Sequence, residues 1–461
     1  MNKTCPIKNK KPEGFSTRYI KEVKKILSLA WPLIITQLGM TAIGFIDTMM
    51  AGHYSKTALA GAAIGSSIAI PCIIALSGIT MAVTPITAYL KGRREEEKYP
   101  AVIRNSIWVS IAFAILIIII INLSKYTLGF MGISKDVAIT ANKYLTGISI
   151  GIPAVAIYGV LRSFIEGLGD TRPQMYISIV SVFFNYFVND ILIYGKLGLP
   201  ELGGAGCGFA SGLTLWLFLI LILIYINSKE GLQRIKRDFH FTLPDTEGIK
   251  EILFLGFPIG ASLFMECSIF ACITLFIGKL GPDIVGGHQI TLNYSGVVFA
   301  IPMSIGMAIT ITTGHALGRG NPKEARFSAF TGISSAVCFA FFTLIATYQF
   351  AEDIASFYTN SPEVANVAVL LLKTAALYQI SDAVMVSSQG ALRGYKDTKM
   401  IFILTFTAYW VITLPLGYTI SMTDAVLPKL GAKGFWISLI FGLSTSGIFL
   451  ISRLNQISKR V

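Results

Sequence analysis

Long apolar runs, separated by short polar or basic segments, dominate the chain from residue 27 onward. A helix needs about 20 mostly apolar residues to cross the hydrocarbon core of a bilayer. By this criterion the sequence predicts twelve transmembrane helices, at approximately residues 27–51, 57–89, 101–123, 136–163, 171–196, 203–227, 247–276, 283–316, 324–351, 362–389, 399–423 and 431–452. The pattern therefore predicts an all-α integral membrane protein.

The two halves of the chain repeat each other. At an offset of 226 residues, 26–93 align without gaps to 252–319 and share 16 identities in 68 positions, among them Pro32 over Pro258. Each half contains six predicted spans, so both halves should insert in the same orientation. We therefore predict two parallel six-helix lobes related by a pseudo-two-fold axis along the membrane normal, which is a transporter architecture.

The repeat and the polar segments divide the chain into five parts. These are a tail (1–26), an N-lobe (27–227), a linker (228–246), a C-lobe (247–452) and a second tail (453–461). With the N-terminus in the cytoplasm, 29 of the 38 Lys and Arg residues fall on the cytoplasmic side. By the positive-inside rule we expect both termini to be cytoplasmic and the protein to lie in the cell (inner) membrane.

Composition narrows the functional classes. Hydrophobic residues make up 53% of the chain and charged residues only 14%, which excludes a soluble, disordered or fibrous protein. The net charge of +13 lies mostly between spans, where it indicates topology and anionic lipid, and not nucleic-acid binding. Neither the Cys nor the His residues have metal-ligand spacing, and the chain has no P-loop motif. We therefore predict no cofactor, no metal beyond a monovalent cation, and transport energy from an ion gradient.

Four acidic residues stand out inside the predicted spans: Asp47, Asp190, Glu266 and Asp382. The one clear cation inside a span is Lys373. An ionisable group in lipid costs roughly 2.5–3.5 kcal/mol by insertion scales, so each acid needs a reason to be there. An unpaired buried carboxylate is stable when it is protonated or when it holds a cation. This surplus of carboxylates indicates coupling to H⁺ or Na⁺.

The acids form one candidate group in each lobe. Asp47 lies in the first span, whereas Asn185 and Asn189, four residues apart, share one face of the fifth span beside Asp190. These four residues suit either an oxygen cage for Na⁺ or a proton site, and interhelical hydrogen bonding is the alternative.

In the C-lobe, Glu266 and Asp382 should face the interior of the helix bundle, because exposure to lipid would be most costly there. Lys373 precedes Asp382 by nine residues, about 13.5 Å along a helix, so a direct pair within the helix is not expected. We expect Lys373 to extend towards the outer interface.

A possible enzyme signature is weak. Gly167-Leu-Gly-Asp170 matches the Gly-x-Gly-Asp motif of intramembrane aspartyl proteases, which require a second carboxylate that shares a proton. The repeat copy, Gly394-Tyr-Lys-Asp397, has lost the second Gly. A repeated cytoplasmic turn explains both copies better, and we predict that the protein is not an enzyme.

Several short motifs together resemble the MATE (multidrug and toxic compound extrusion) family, in its NorM-like branch. The matching segments are 44–52 (GFIDTMMAG), 161–164 (LRSF) with Gly167 and Pro173, 194–196 (YGK), 200–204 (PELGG), 256–258 (GFP), 287–289 (GHQ), 301–304 (IPMS), Asp382 with 391–395 (ALRGY), and 434–436 (GFW). They extend from the first span to the last. Each motif alone is weak, but the set is specific.

The resemblance implies a V-shaped pair of lobes and exchange of organic cations for Na⁺ or H⁺. It assigns Asp47, Asn185 and Asn189 to the N-lobe site of the family. It assigns Glu266 and Asp382 to the C-lobe cation site, with Tyr378 nearby, and Tyr294 to a possible substrate cavity. Asp190 departs from the NorM-like pattern, in which an aromatic residue often follows the second Asn.

We therefore predict a monomeric, cation-coupled antiporter that exports small organic cations by alternating access. A lipid-linked saccharide flippase of a related two-lobe fold is the alternative. It should carry a basic cavity for pyrophosphate, whereas the buried charge of this chain is acidic.

Overall fold

The computed structural model describes residues 14–127, 134–232, 242–424 and 428–460. Its helices in chain order are α1 (Phe15–Tyr54), α2 (Lys56–Thr80), α3 (Val83–Arg93), α4 (Tyr99–Thr127), α5 (Lys135–Gly167), α6 (Arg172–Tyr194), α7 (Gly204–Ser228), α8 (Thr246–Ile277), α9 (Pro282–Gly318), α10 (Pro322–Gln349), α11 (Ala351–Tyr358), α12 (Pro362–Gly394), α13 (Thr398–Phe406), α14 (Leu414–Met422) and α15 (Ala432–Arg460). A π-helical segment, Thr407–Thr413, joins α13 to α14. The predicted tail residues 1–13 and 461, and linker residues 233–241, lie outside the described residues.

The predicted number of membrane spans is confirmed. Within the described ranges, twelve helical stretches are long and apolar enough to cross a membrane. The second stretch consists of α2 and α3, which meet at a turn around residues 81–82, and the eleventh runs from α13 to α14. The first helix begins at Phe15, well before the predicted start of the first span, because its charged N-terminal turns pack along α10, where the Tyr19 hydroxyl lies 2.9 Å from Ser334 Oγ.

Local signals explain where several helices begin. The Ser55 hydroxyl accepts a hydrogen bond from the Ala58 N–H at the start of α2, and Asn321 accepts one from the Glu324 N–H at the start of α10. Asp245 does the same for Gly248 at the start of α8. Such side chains satisfy backbone N–H groups that have no partner within the helix. Proline occupies the first turn of α6, α9, α10 and α12, where its missing N–H costs nothing.

The duplication predicted from the sequence recurs in the packing of the two lobes. In the N-lobe, the Thr84 hydroxyl donates to the Ser163 carbonyl oxygen at 3.1 Å. In the C-lobe, the equivalent Thr310 hydroxyl donates to the Gly390 carbonyl oxygen at 2.7 Å. The two halves therefore share their internal contacts as well as their helix order, as expected for parallel repeats.

The two Gly-x-x-Asp segments form equivalent turns. Asp170 accepts hydrogen bonds from Lys229 and Tyr225 near the end of α7, and Asp397 accepts one at 2.7 Å from Arg453 near the end of α15. Although partial burial acts in the opposite direction, the bonds from Lys229 and Tyr225 hold the pKa of Asp170 below its ordinary value. Each Asp is thus paired with a cation at its turn, as expected for a repeated structural turn.

The loops 94–98, 168–171, 319–321 and 395–397 lie at one end of the bundle, together with the flanking helix ends, which carry Lys91, Arg93, Arg172, Lys323 and Lys399. We call this end the basic face. The lobes approach each other very closely towards this face. A Cβ on Gly318 would lie 2.1 Å from the Tyr89 carbonyl oxygen, and one on Gly78 would lie 2.3 Å from Gly260 Cα. The ring of His315 in the C-lobe also lies 2.8 Å from the Gly167 carbonyl oxygen in the N-lobe. Small residues thus let helices from different lobes pack backbone to backbone.

We expect Gly318→Leu to separate the lobes at the basic face, because close-packed backbones cannot absorb a new side chain. Spin labels at positions 94 and 323, one in each lobe and both exposed, would report this separation as a distance longer by roughly 3 Å. Gly296→Leu is the matched control on the same helix, because a Cβ there has nothing within 4 Å. An unchanged distance distribution in the Gly318 variant would contradict this interpretation of the interface.

Candidate functional site

The N-lobe contains a polar cluster built from three helices. Asp47 on α1 accepts hydrogen bonds from Asn189 Nδ2 of α6 at 2.6 Å and from the Ser211 hydroxyl of α7 at 2.6 Å. Asn189 Nδ2 also donates to Asn185 Oδ1 at 3.0 Å. Both Asn side chains are fully buried. The structure therefore brings together three of the four predicted N-lobe residues and adds Ser211, which the sequence pattern did not single out.

In this N-lobe cluster, a carboxylate oxygen and an amide oxygen approach the same nitrogen atom. A single amide group of Asn189 bonds both a carboxylate oxygen of Asp47 and the amide oxygen of Asn185. The buried atoms Asn185 Nδ2 and Asn189 Oδ1 have no hydrogen-bond partner within the described ranges. Buried polar atoms without partners are rare in proteins. The arrangement can therefore exchange partners, with a cation or a proton in place of the Asn189 amide group.

The structure does not bring Asp190 into this N-lobe cluster. Its carboxylate pairs with Lys196 at 2.7 Å, and the two side chains are 30% and 54% exposed. Asp190 follows Asn189 directly on α6, so it points to a different side of the helix. The surplus negative charge that the sequence suggested at this position is neutralised by Lys196, which follows the end of α6.

The C-lobe contains the second group of buried acids. Glu266 on α8 is 9% exposed and Asp382 on α12 is 3% exposed. The Tyr378 hydroxyl, one helical turn before Asp382, donates to Asp382 Oδ1 at 3.2 Å. Among the described residues, neither carboxylate has a Lys, Arg or His nitrogen within 4.0 Å and Glu266 has no hydrogen-bond partner. The interior position predicted for both acids is thus confirmed by their burial.

Irregular helix geometry adds aromatic residues to the C-lobe group. The π-helical segment carries Tyr409, whose hydroxyl is buried without a partner in the described part of the chain. It also carries Trp410, whose ring N–H donates to the Met265 carbonyl oxygen, immediately before Glu266. Single π-helical turns often occur at functional sites because they change the side-chain register locally. No periodicity in the sequence distinguishes this segment from ordinary α-helix, so sequence reasoning missed both residues.

A chain of contacts extends from Asp382 into the C-lobe core. The Tyr378 ring meets the Trp436 ring edge to face at 5.6 Å, and the Trp436 ring N–H donates to His288 Nδ1 at 3.3 Å. The other ring nitrogen of His288 lies 3.1 Å from the Thr274 hydroxyl. His288 is therefore a packed, hydrogen-bonded core residue. In the described residues, no cluster of three or more His, Cys, Asp or Glu side chains could hold a metal ion.

The statement that Lys373 is the one cation inside a span is wrong. Arg393 on α12 is 4% exposed, donates to Gln389 Oε1 at 3.1 Å, and interacts electrostatically with Glu266. Arg162 and Glu166 form a further buried pair at 2.7 Å inside α5. Glu166 and Arg393 were missed because the predicted spans end at residues 163 and 389, before their helices end, whereas Arg162 lies inside the predicted span 136–163 and was not singled out.

The internal repeat relates the Arg162–Glu166 pair of the N-lobe to Gln389 and Arg393 of the C-lobe. At the offset of 227 that aligns Asp170 with Asp397, Glu166 aligns with Arg393 and Arg162 aligns with Gln389. The N-lobe position is therefore neutralised within its own helix, whereas the C-lobe position carries an Arg whose interacting acid, Glu266, is on another helix. In the C-lobe, Glu266 therefore interacts with the positive charge of Arg393 without forming a direct ion pair.

Two other predicted residues lie away from the acids. Lys373 lies 3.8 Å from Glu352 and is 38% exposed, as expected for a side chain that extends towards the interface. Tyr294 bonds the Thr347 hydroxyl at 2.9 Å and packs in a small apolar cluster beside α11. It does not line the narrow pocket next to Asp382, which is formed by Ser295, Phe299, Phe339, Tyr378, Gln379 and Asp382. Its partner Thr347 also accepts a hydrogen bond from Gln379 of that pocket at 2.9 Å, so Tyr294 is linked to the pocket indirectly and its place in a substrate cavity stays a prediction.

The MatE family model matches this chain in two segments, residues 32–191 and 258–419. The two matches are of similar length and coincide with the two lobes, as the internal repeat requires. Together they cover well over half of the chain, and they include Asp47, Asn185, Asn189, Glu266 and Asp382.

Solved structures have the same fold. The eukaryotic MATE transporter AtDTX14 aligns with a TM-score of 0.84 at 20% identity, over 96% of this chain and 98% of the other. An outward-facing multidrug resistance MATE family transporter aligns with a TM-score of 0.85 at 18% identity, over 97% and 100%. A transporter of the MOP superfamily from Pyrococcus furiosus, described as having a binding pocket of reverse polarity that suggests a different function, aligns with a TM-score of 0.83 at 18% identity, over 97% and 99%.

The family match, the twelve spans in two parallel lobes and the agreement with these folds lead to one conclusion: the chain is a multi-pass membrane protein of the MATE transporter family.

Proposed function

We propose that this transporter exports small organic cations in exchange for Na⁺ or H⁺. We infer that it acts as a monomer in the cell (inner) membrane with both termini in the cytoplasm. The observation that carries the proposal is the presence in both lobes of carboxylates that have no directly bonded cation among the described residues: the partly buried Asp47 in one lobe, and the buried Glu266 and Asp382 in the other. A neighbour in fold is a multidrug resistance transporter, which supports the drug substrate.

The proposed cycle follows from the cost of buried charge. An empty, ionised carboxylate inside the membrane is unfavourable, so the site takes up either a proton, a sodium ion or a cationic drug. Entry of the coupling ion neutralises the acids and thereby displaces the drug. When one Na⁺ or H⁺ exchanges for one monovalent drug cation, no net charge crosses the membrane, so a tenfold ion gradient supplies about 1.4 kcal/mol and supports about a tenfold drug gradient. The lobes alternate between two accessible faces, and the close contacts at the basic face belong to one of these states.

The test is ethidium efflux from proteoliposomes that contain the purified protein. One set carries an imposed Na⁺ gradient at equal pH, and the other an imposed pH gradient without Na⁺. We expect at least one gradient to drive efflux, and the effective gradient identifies the coupling ion. Absence of efflux under both gradients, with correctly inserted protein, would contradict the proposal.

The N-lobe geometry makes a separate prediction. Asp47→Asn should strongly reduce ion-driven ethidium efflux, because it removes the acid at the centre of the cluster. Asp190→Asn should leave efflux within about twofold of the unmodified protein, since surface ion pairs contribute little. The two variants are matched controls for each other in the same assay. If the Asp190 variant were as inactive as the Asp47 variant, Asp190 would have to be counted as part of the N-lobe site.

The alternative, a lipid-linked saccharide flippase, is not favoured. Binding of a pyrophosphate group requires a basic cavity, whereas both clusters are acidic. Because a fold neighbour is described as having reversed pocket polarity, charge is a useful discriminator within this fold. Strong binding of a polyprenyl pyrophosphate, with no binding of ethidium, would favour the flippase.

A further inference from the structure

We propose that a groove between the first turns of α1 and α10, at the basic face, binds the phosphate headgroup of an anionic glycerophospholipid. We call this groove the α1–α10 groove. It has a volume of about 450 Å³ and is lined by Phe15, Arg18, Tyr19, Lys323, Arg326, Phe327, Phe330, Thr331 and Ser334. Nothing in the proposed transport cycle uses it.

The groove carries positive charge that the described part of the chain does not neutralise. Arg18, Lys323 and Arg326 all line it, and none of the lining residues is acidic. In the described ranges, none of these three cations has a carboxylate oxygen within 4.0 Å. Arg326 bonds the amide oxygen of Asn455 at 2.8 Å, which leaves its charge uncompensated. A phosphate diester would supply the missing counter-charge.

Aromatic rings hold the cations in place and supply an apolar surface. The Arg18 guanidinium lies 4.3 Å from the centre of the Phe327 ring, and that of Arg326 lies 5.7 Å from the Phe330 ring. Phe15 is 74% exposed beside them. A site that combines fixed guanidinium groups with exposed aromatic carbons suits a ligand with a charged head and an apolar tail. Basic pockets between transmembrane helices on the cytoplasmic side typically bind such headgroups.

The N-lobe contains a space equivalent to the α1–α10 groove, and the two can be compared residue by residue. At the 226-residue offset, Tyr19, Thr331 and Ser334 align with Asp245, Asn105 and Trp108. In the N-lobe the chain itself fills the equivalent space: the Asp245 N–H donates to Asn105, and the Trp108 ring N–H donates to the Thr242 carbonyl oxygen. The two lobes thus have equivalent grooves, and the described residues fill the N-lobe groove but leave the C-lobe groove open.

The cationic and aromatic residues are specific to the open groove. Lys323, Arg326 and Phe327 align with Glu97, Pro100 and Ala101 in the N-lobe, and one cation, Arg104, takes the place of Phe330. Because the N-lobe packs without this set, the fold does not require it. The groove lies where the charged start of α1 meets a membrane span. A headgroup bound there lies at the bilayer interface, and its acyl chains extend along the exposed apolar surface.

The experiment measures lipid binding to the full-length purified protein by native mass spectrometry, with phosphatidylglycerol and phosphatidylcholine of identical acyl chains. We expect at least one tightly bound phosphatidylglycerol and weaker binding of phosphatidylcholine. Arg18→Gln with Lys323→Gln changes two exposed cations and should weaken this binding about thirtyfold, since each basic residue contributes about fivefold. Arg326→Gln is the second variant and should act in the same direction.

The control is Lys250→Gln with Lys399→Gln, which removes two exposed charges from the basic face outside the groove. It should retain the tight lipid. Equal loss in the control would mean a diffuse charge effect, and equal binding of the two lipids would mean an apolar groove; either result would overturn the proposal. Release of the bound phosphatidylglycerol by inorganic phosphate at the same concentration as the lipid would also overturn it, because the groove would then recognise free phosphate. Unchanged elution and thermal midpoint without lipid establish that the variants fold.

Discussion

Asp382→Asn and Glu266→Gln should each abolish ion-driven drug export while leaving membrane insertion intact. Both acids are buried, and neither has a cation within 4.0 Å among the described residues. The amide variants keep the size of the side chains but lose the charge that a passing cation would satisfy. In proteoliposomes, the ethidium gradient that a tenfold ion gradient can support, about tenfold, should fall to near unity.

The matched control is Glu352→Gln, which neutralises an exposed acid in the same lobe that pairs weakly with Lys373. It should export ethidium at the level of the unmodified protein. Full export by both buried-acid variants would refute the C-lobe assignment. Loss of export in the control as well would indicate a general effect of charge on the lobe.

Arg162→Gln should destabilise the protein by about 3 kcal/mol or more, the typical cost of leaving one member of a buried ion pair unpaired. Glu166 is 1% exposed and its partner Arg162 is 18% exposed, so solvent screens the pair little. The double variant with Glu166→Gln should recover most of the lost stability, because no charge then remains unpaired. The thermal midpoint of the purified protein provides the comparison.

Arg319→Gln is the control for this stability measurement. Arg319 forms an ion pair of the same length, 2.7 Å, with Glu324, but the two side chains are 44% and 28% exposed. Exposed pairs contribute roughly 0–1 kcal/mol, so this variant should change the midpoint little. Equal destabilisation by Arg162→Gln and Arg319→Gln would contradict the role assigned to burial.

Much of the fold was predictable from the sequence because the bilayer imposes it. Segments in lipid must satisfy their own backbone hydrogen bonds, so long apolar runs become helices. The duplication was visible as matching residues at a fixed offset, and it reappears as the paired contacts of Thr84 and Thr310. Asp47, Glu266 and Asp382 could be singled out because acids inside apolar runs are costly, and that cost is a property of the sequence alone.

The remaining features depend on side-chain direction and on contacts that are distant in sequence. Asp190 is adjacent to Asn189, yet it turns towards Lys196, a residue beyond the helix end. Ser211 joins Asp47 across 164 positions of the chain, and no local pattern indicates that pairing. Arg393 fell outside the predicted span 362–389 because apolarity ends before the helix does, although the protein buries it. The π-helical turn at Tyr409 arises from packing and leaves no periodic signal.

The most direct test of the central claim is a measurement of ions exchanged when ethidium binds to the purified protein. In weakly buffered solution without Na⁺, binding should release protons if the buried acids are protonated, and added Na⁺ should weaken binding if they hold sodium. We predict at least one of these effects in the unmodified protein, and its reduction or loss in Asp382→Asn. Ethidium binding that releases no protons and does not respond to Na⁺ would contradict the account.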